Sequence, residues 1–207
     1  LSAFYFDIRK DAIYCDAAGS LRRRAARTVM AEIFSFLTAW LAPITCFTAE
    51  EAWLARPQGV PDGEADSVHL RLYPTIPAAW LDAALGEKWK TVRALRRVVT
   101  GALELERAEK RIGSSLQAAP LVHVAPEYLD ALKGLDLSEI CITSGGDLVE
   151  GDAPDGAFVL ADVAGVGVVP ALAEGNKCAR CWQVLEEGGK STAHPLICRR
   201  CEDAVSA

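Results

Sequence analysis

No run in this sequence approaches the roughly 18 apolar residues of a membrane span. The longest candidate, Ile33 to Cys46, is shorter and carries Thr38, Trp40 and Pro43. A membrane partner is therefore not expected. Secretory signal patterning is also missing, so an oxidising compartment and a disulfide framework are not expected either. The odd total of seven cysteines argues the same way. Methionine is nearly absent: Met30 is the only one, and the chain opens on a Leu inside what reads as a helix. That start suggests a piece of a longer polypeptide. An overall basic excess is lacking as well, and the net charge of −6 by itself speaks against a nucleic-acid partner.

What is present begins with four cysteines near the C-terminus. They form two Cys-x-x-Cys pairs, Cys178/Cys181 and Cys198/Cys201, with sixteen residues between the pairs. Two intervening residues let a tight turn aim both thiolates at one ion, and the longer gap suits a short β-hairpin that sets one turn beside the other. Four sulfurs in a tetrahedron suit a single structural Zn²⁺ and leave no open position for chemistry. A thioredoxin-like redox site would use one such pair at a helix start, not two. Cys15, Cys46 and Cys141 read as core thiols. The pattern predicts a site that organises a surface, and no catalytic residue is assigned.

The overall charge conceals an asymmetry. Residues 88–111 carry eight Lys or Arg against three acids, whereas residues 118–175 carry Lys133 alone against ten acids. A polyanion binder can be acidic overall if its cations share one face. RNA is thus permitted, not required.

At 207 residues, 51% of them hydrophobic, the chain can build one large domain or two to three small ones. Apolar residues recur at helical spacing between Ser20 and Ile44 (Val29, Ile33, Phe36, Leu37, Trp40, Leu41), and Pro43 marks the end of the regular helix. Thr48 and Glu51 read as a capping box opening a further helix. Residues 57–67, rich in Pro, Gly and acids, predict a loop, and Ser67–Tyr73 a brief extended segment. A long helix is expected from about Pro77 to Arg111, with a stripe of Trp89, Val92, Leu95, Val99, Ala102 and Leu103, and Gly113 as its stop. The period then changes. Pro120–Ala125 reads as a strand, Pro126–Leu135 as a small helix, and Ile140–Thr143, Ala157–Ala161 and Val166–Ala171 as further strands. The fold class expected is multi-domain and mainly α: a helical bundle over 1–113, a small α+β junction module over 114–175 and a zinc-ribbon-like hairpin over 176–207.

Several segments carry a resemblance. YFDIRKDAIYCD (Tyr5 to Asp16), RRRAARTV (Arg22 to Val29) and LAPITCFTAEEAW (Leu41 to Trp53) resemble the anticodon-binding helical domain of bacterial isoleucyl-tRNA synthetases, which are class I enzymes. RIGSSLQA (Arg111 to Ala118) is similar to a family segment that usually has Glu where Gln117 stands. KCARCW (Lys177 to Trp182) and HPLICRRC (His194 to Cys201) are similar to the family's C-terminal zinc finger. The resemblance implies a cytoplasmic, monomeric ligase that uses ATP and Mg²⁺ in a catalytic domain to join isoleucine to its tRNA. This chain has no His-x-Gly-His or Lys-Met-Ser-Lys-Ser string, so it is expected to be inactive alone. Its expected partners are the anticodon stem-loop of isoleucine tRNA and the remainder of the same polypeptide.

Arg180, Trp182, Arg199, Arg200 and Lys177 flank the metal-binding turns and are candidate tRNA contacts. Phosphates position an RNA, and splayed bases give its identity. The bland alternative is that these arginines offset the charge of four thiolates around a divalent ion. Arg22, Arg23, Arg24 and Arg27 lie in the first turns of a helix, where cations oppose the macrodipole, and are candidates for the same reason. His194, beside Pro195, is assigned a structural role. Gly188-Gly189-Lys190-Ser191 lacks the earlier glycine of a phosphate loop and reads as a hairpin turn. Two other functions fit the cysteines: the DNA-binding finger of a formamidopyrimidine-type glycosylase, although the N-terminal Pro-Glu of those enzymes is missing, and a zinc ribbon for protein contacts.

Overall fold

The computed structural model describes residues 1–57 and 65–206, so most of the expected loop at 57–67 lies outside the described residues. Seven α-helices and two small sheets are found among the described residues, which makes the chain mainly α. It divides into two compact units, one of residues 1–15 and 82–207, the other of residues 16–81.

The second unit is built from α2 (Leu21–Leu41) and α3 (Cys46–Leu54). Ser20 caps α2 by accepting the Arg23 N–H. Trp53 is the centre of this unit and is fully buried with Ala42, Ala49 and Val68 around it. Its ring stacks on Phe34 at 6.5 Å, the Arg56 and Arg71 guanidiniums lie 4.3 and 4.1 Å from its centroid, and its Nε1 donates to the Ala65 carbonyl. Glu50 holds the next segment by accepting from Ser67 Oγ and the Val68 N–H. A 3₁₀ turn at Val68–Leu70 therefore replaces the start of the expected extended segment.

Two expectations change here. Helix α3 begins before Thr48, because the Ile44 and Thr45 N–H groups both bond the Leu41 carbonyl and wind the chain straight into Cys46. No Thr48–Glu51 box forms. In α2 the buried positions are Ala26, Ser35, Thr38 and Ala39, whereas Val29, Leu37, Trp40 and Leu41 are substantially exposed. The strap that follows α3 sends Arg71 to the Ser35 carbonyl, Ser35 Oγ and Thr38 Oγ1, which draws the polar face of α2 inward.

The first unit contains α1 (Asp7–Cys15), after a π-helical turn at Ser2–Phe6, and α4 (Ala83–Ala108). Asp82 starts α4 by accepting the Leu85 N–H, so the helix begins later than Pro77. It ends before Gly113, with Lys110 in a left-handed conformation at φ 61°. Its buried stripe, Val92, Leu95, Val98, Val99, Ala102 and Leu103, packs on a four-stranded sheet and not on other long helices. The sheet consists of β1 (Leu121–Val124), β2 (Asp147–Glu150), β3 (Phe158–Leu160) and β4 (Val163–Val169) in the order β2-β1-β4-β3, with β1 and β2 parallel and the other pairs antiparallel. Gly101 lets helix and sheet approach closely, since a Cβ there would meet the Phe158 ring at 2.9 Å and push it aside.

Helices α5 (Pro126–Leu132) and α6 (Leu137–Cys141) form the crossover between the parallel strands. The second corrects the strand expected at Ile140–Thr143. Asp136 accepts from the Ser138 and Glu139 N–H groups, a cap that takes Ile140 and Cys141 into a helix, which Ile142 then ends in a left-handed conformation at φ 57°. Cys15 and Cys141 are buried as expected, but Cys46 is exposed at the first position of α3.

Candidate metal centre and nucleic-acid interface

The C-terminal module is a two-stranded hairpin, β5 (Asn176–Lys177) with β6 (Val184–Leu185), followed by α7 (Arg199–Ser206). The first cysteine pair sits in the turn between β5 and β6, the second at the start of α7. The second turn of the module needs glycine: a Cβ on Gly188 would meet the Asn176 carbonyl oxygen at 2.6 Å. The Gly188–Ser191 stretch, expected as the hairpin's turn, instead follows β6, where the Gly188 N–H donates to the Leu185 carbonyl; the hairpin's own turn carries the first cysteine pair.

The module brings Cys178, Cys181, Cys198 and Cys201 together, all buried, with their sulfurs within 4.8 Å of one another. Cys181 and Cys198 sulfurs are 3.8 Å apart, and two sulfurs held ~2.3 Å from one tetrahedral ion sit about that far apart. Cys178 Sγ accepts the Cys181 and Cys198 N–H groups at 3.5 and 3.3 Å. Burial alone would push its thiol up, but the N–H groups aimed at it reverse the effect and bring it down to about 6. Burial pushes Cys181 and Cys201 up to about 11 and raises Cys198 as well. Four buried sulfurs can all be thiolates only around a cation, so this donor set fits a soft divalent ion with closed coordination. His194 is exposed and outside the cluster.

The flanking cations divide into two groups. Arg180 donates to the Cys15 carbonyl at 2.5 Å, to the Tyr14 carbonyl at 3.0 Å and to Cys201 Sγ at 3.5 Å. Arg200 makes a two-pronged pair with Asp11, one prong at 2.7 Å, and reaches Gln183 Oε1 at 3.5 Å. The Asp11 hydrogen bond, with the Asp11 charge, pushes the Arg200 guanidinium up. Lys177, Trp182 and Arg199 instead face solvent. Trp182 is 61% exposed, and the Lys177 ammonium lies 5.8 Å from its ring centroid. A cation beside an open indole face is the arrangement on which an unpaired base can stack.

The arginines of α2 divide similarly. Arg22 forks onto the Asp16 carboxylate at 2.7 and 2.8 Å, and Arg23 donates to the Asp16 carbonyl. Arg24 and Arg27 are exposed. Most cations of α4 have partners within their own unit. Arg96 donates to the Ile140 carbonyl, Lys88 to the Lys133 carbonyl and Arg97 to Asp162, while Arg107 and Arg111 pair with Glu104 and Glu106. The basic row is thus largely answered by the acidic sheet module and by its own helix.

Sequence reasoning missed Asp11, Gln183 and Ser144. The Ser144 hydroxyl accepts the Val184 N–H and donates to the Leu116 carbonyl, which ties the hairpin to the sheet module. One signal was available: arginine stands just before the second cysteine of both pairs, in Cys178-Ala-Arg180-Cys181 and Cys198-Arg199-Arg200-Cys201.

The chain belongs to the family of anticodon-binding domains of tRNA ligases, whose pattern matches residues 1–123. Residues 175–204 match a second family, the zinc finger found in FPG and IleRS. Among curated relatives, the chain is similar to the isoleucine–tRNA ligase of Brucella abortus (strain 2308), 57% identical over 202 residues. It is similar also to those of Agrobacterium fabrum, 54% identical over 201 residues, and Bartonella henselae, 50% identical over 201. Each alignment covers 97% of this chain and 20% of the relative, so the chain spans about a fifth of their length. The match over residues 1–123 does not favour the glycosylase reading. The zinc-finger match and the four-cysteine cluster support a structural zinc, and no helix among the described residues is long and apolar enough to cross a membrane.

Proposed function

We propose that this chain is the tRNA-binding end of an isoleucine–tRNA ligase, a cytoplasmic and monomeric enzyme whose ATP- and Mg²⁺-dependent chemistry lies in a catalytic domain outside it. In this reading residues 1–113 serve as the helical anticodon-binding part, 114–175 as the junction and 176–207 as the zinc finger. Cys178, Cys181, Cys198 and Cys201 hold one Zn²⁺. The ion closes both turns, which fixes Lys177, Trp182 and Arg199 at low entropic cost. Trp182 offers a stacking face to an anticodon-loop base, while Lys177 and Arg199, with Arg24 and Arg27 on α2, supply phosphate contacts. Arg180, Arg200, Arg22 and Arg23 hold the protein's own groups and support those contacts from behind. The observation that carries the reading is the presence in one chain of the anticodon-binding match and a four-cysteine centre edged by an exposed Trp182.

The test is binding of the zinc-loaded chain to transcripts of isoleucine tRNA, of a second tRNA and of damaged duplex DNA, over a salt series. Preference for isoleucine tRNA is expected. Lys177→Ala with Arg199→Ala should reduce the slope of log K against log salt by up to about 2, near one for each phosphate left without its cation. Equal affinity for all three nucleic acids, or none, defeats the proposal. Mixed with isoleucine and ATP, the chain should give no pyrophosphate exchange.

A further inference from the structure

The two arginines that sequence spacing places at equivalent positions of the two cysteine turns both reach the same element, the last turn of α1. That turn has no basic residue of its own. The final carbonyls of a helix lack partners inside it and carry partial negative charge. Here Arg180 supplies the missing donor from 165 residues away, taking the Cys15 and Tyr14 carbonyls with one guanidinium nitrogen each. Arg200 grips the Asp11 carboxylate one turn earlier, 189 residues away in sequence. Both are also linked to the ligand cluster, Arg180 through Cys201 Sγ at 3.5 Å. Cys15 itself packs against the four cysteines.

We infer that Arg180 and Arg200 form a metal-dependent clamp on the C-terminal turn of α1, so that ion binding at the four cysteines fixes the residue at which the chain passes from one unit to the other. The crossing falls between Cys15 and Asp16. The coupling follows from position. Each arginine directly precedes a ligand, so the ion that sets the path of its turn also sets the origin and direction of its side chain. Four thiolates around a divalent ion carry a net charge of −2, which Arg180 offsets in part, while Arg200 is shared with the Asp11 carboxylate. Without the ion the turns are released, and two long side chains would have to be ordered one at a time against α1. Arg180 and Arg200 are positioning residues: they transmit metal occupancy to a helix that holds no ligand.

The test is amide hydrogen exchange with zinc content measured alongside, on the full chain with and without a chelator. In the wild-type protein, chelation should speed exchange of the α1 amides at residues 11–15 about tenfold, while the amides of Leu95 and Val99 in α4 keep their protection. Arg180→Ala with Arg200→Ala should keep one zinc per chain, exchange as fast as the chelated wild type at α1, and show no further change on chelation, which is the non-additivity of a coupled pair. Asp11→Asn, which takes the carboxylate charge from under the Arg200 arm and leaves Arg180 in place, should give an intermediate rate. An α1 indifferent to chelation overturns the inference, as does equal acceleration in wild type and double variant. Loss of zinc from the double variant does so too, because the arginines would then belong to the metal site itself. No RNA enters the measurement, so the result is independent of the proposed function.

Discussion

Trp182 adopts a left-handed backbone at φ 66°, where most chains would place glycine, and its N–H closes the first cysteine turn onto the Cys178 carbonyl. Holding a bulky residue there costs about 1 kcal/mol or more, a cost that metal binding can absorb. Trp182→Gly should therefore relieve the turn and keep zinc bound, while base stacking worth about 1–3 kcal/mol is lost from tRNA affinity. Zinc competition against an indicator dye and tRNA titration separate the two effects; unchanged RNA affinity would remove Trp182 from the interface. At this scale the gathering of Cys178, Cys181, Cys198 and Cys201 was legible from spacing alone. The partners of Arg180 and Arg200 were not, because nothing local reveals a carbonyl 165 residues away. Gln117, where the resembling family has Glu, keeps the needed oxygen: its Oε1 accepts the Gly113 and Ser114 N–H groups.

Helix α4 is the element whose pattern was read most fully and whose setting was read least. Its period of apolar residues is the same whether the partner is a helix bundle or a sheet, so Val92, Leu95 and Val99 announced burial without naming Val122, Val124, Val166 and Val168 as what covers them. Leu95 has no exposed surface. Leu95→Ala should cost about 2–5 kcal/mol in a urea titration of the first unit, and a loss below about 1 kcal/mol would mean that the packing there is loose. Short elements were less legible. The Ile140–Thr143 run has strand composition, yet Asp136 two residues upstream of its first capped N–H decides for helix α6. Asp136→Ala should cost about 1 kcal/mol by the same measurement. The charge row of α4 permitted RNA without requiring it; part of it is engaged inside its own unit, where Arg96 and Lys88 reach the Ile140 and Lys133 carbonyls and Arg97, still exposed, pairs with Asp162.

For the whole molecule, the change of period near Pro120 and the cysteine turns were enough to anticipate helices, an α+β part and a terminal metal hairpin. How packing groups these parts could not be read, because α1 and α4 are separated by 67 residues of other chain yet share one unit. Local patterns carry no record of such returns. Removal of zinc should loosen residues 176–206 and the end of α1 while both helical cores persist, because Trp53 and the α4 stripe lie in clusters separate from the cysteines. Far-UV circular dichroism after chelation should keep most of its helical amplitude; collapse of the whole signal would mean that the ion supports the helical cores as well.

Residues 16–81 begin and end inside the sequence of the other unit, so they are an insertion within it. Asp11 leaves a ribosome 189 residues ahead of Arg200. The last tertiary bonds of the outer unit must therefore wait until the inserted one has been synthesised entire, and loop closure over such a span is among the slower steps of folding. During synthesis the first helix stays unlatched, and a chain truncated before its final cysteine turn would leave it so permanently.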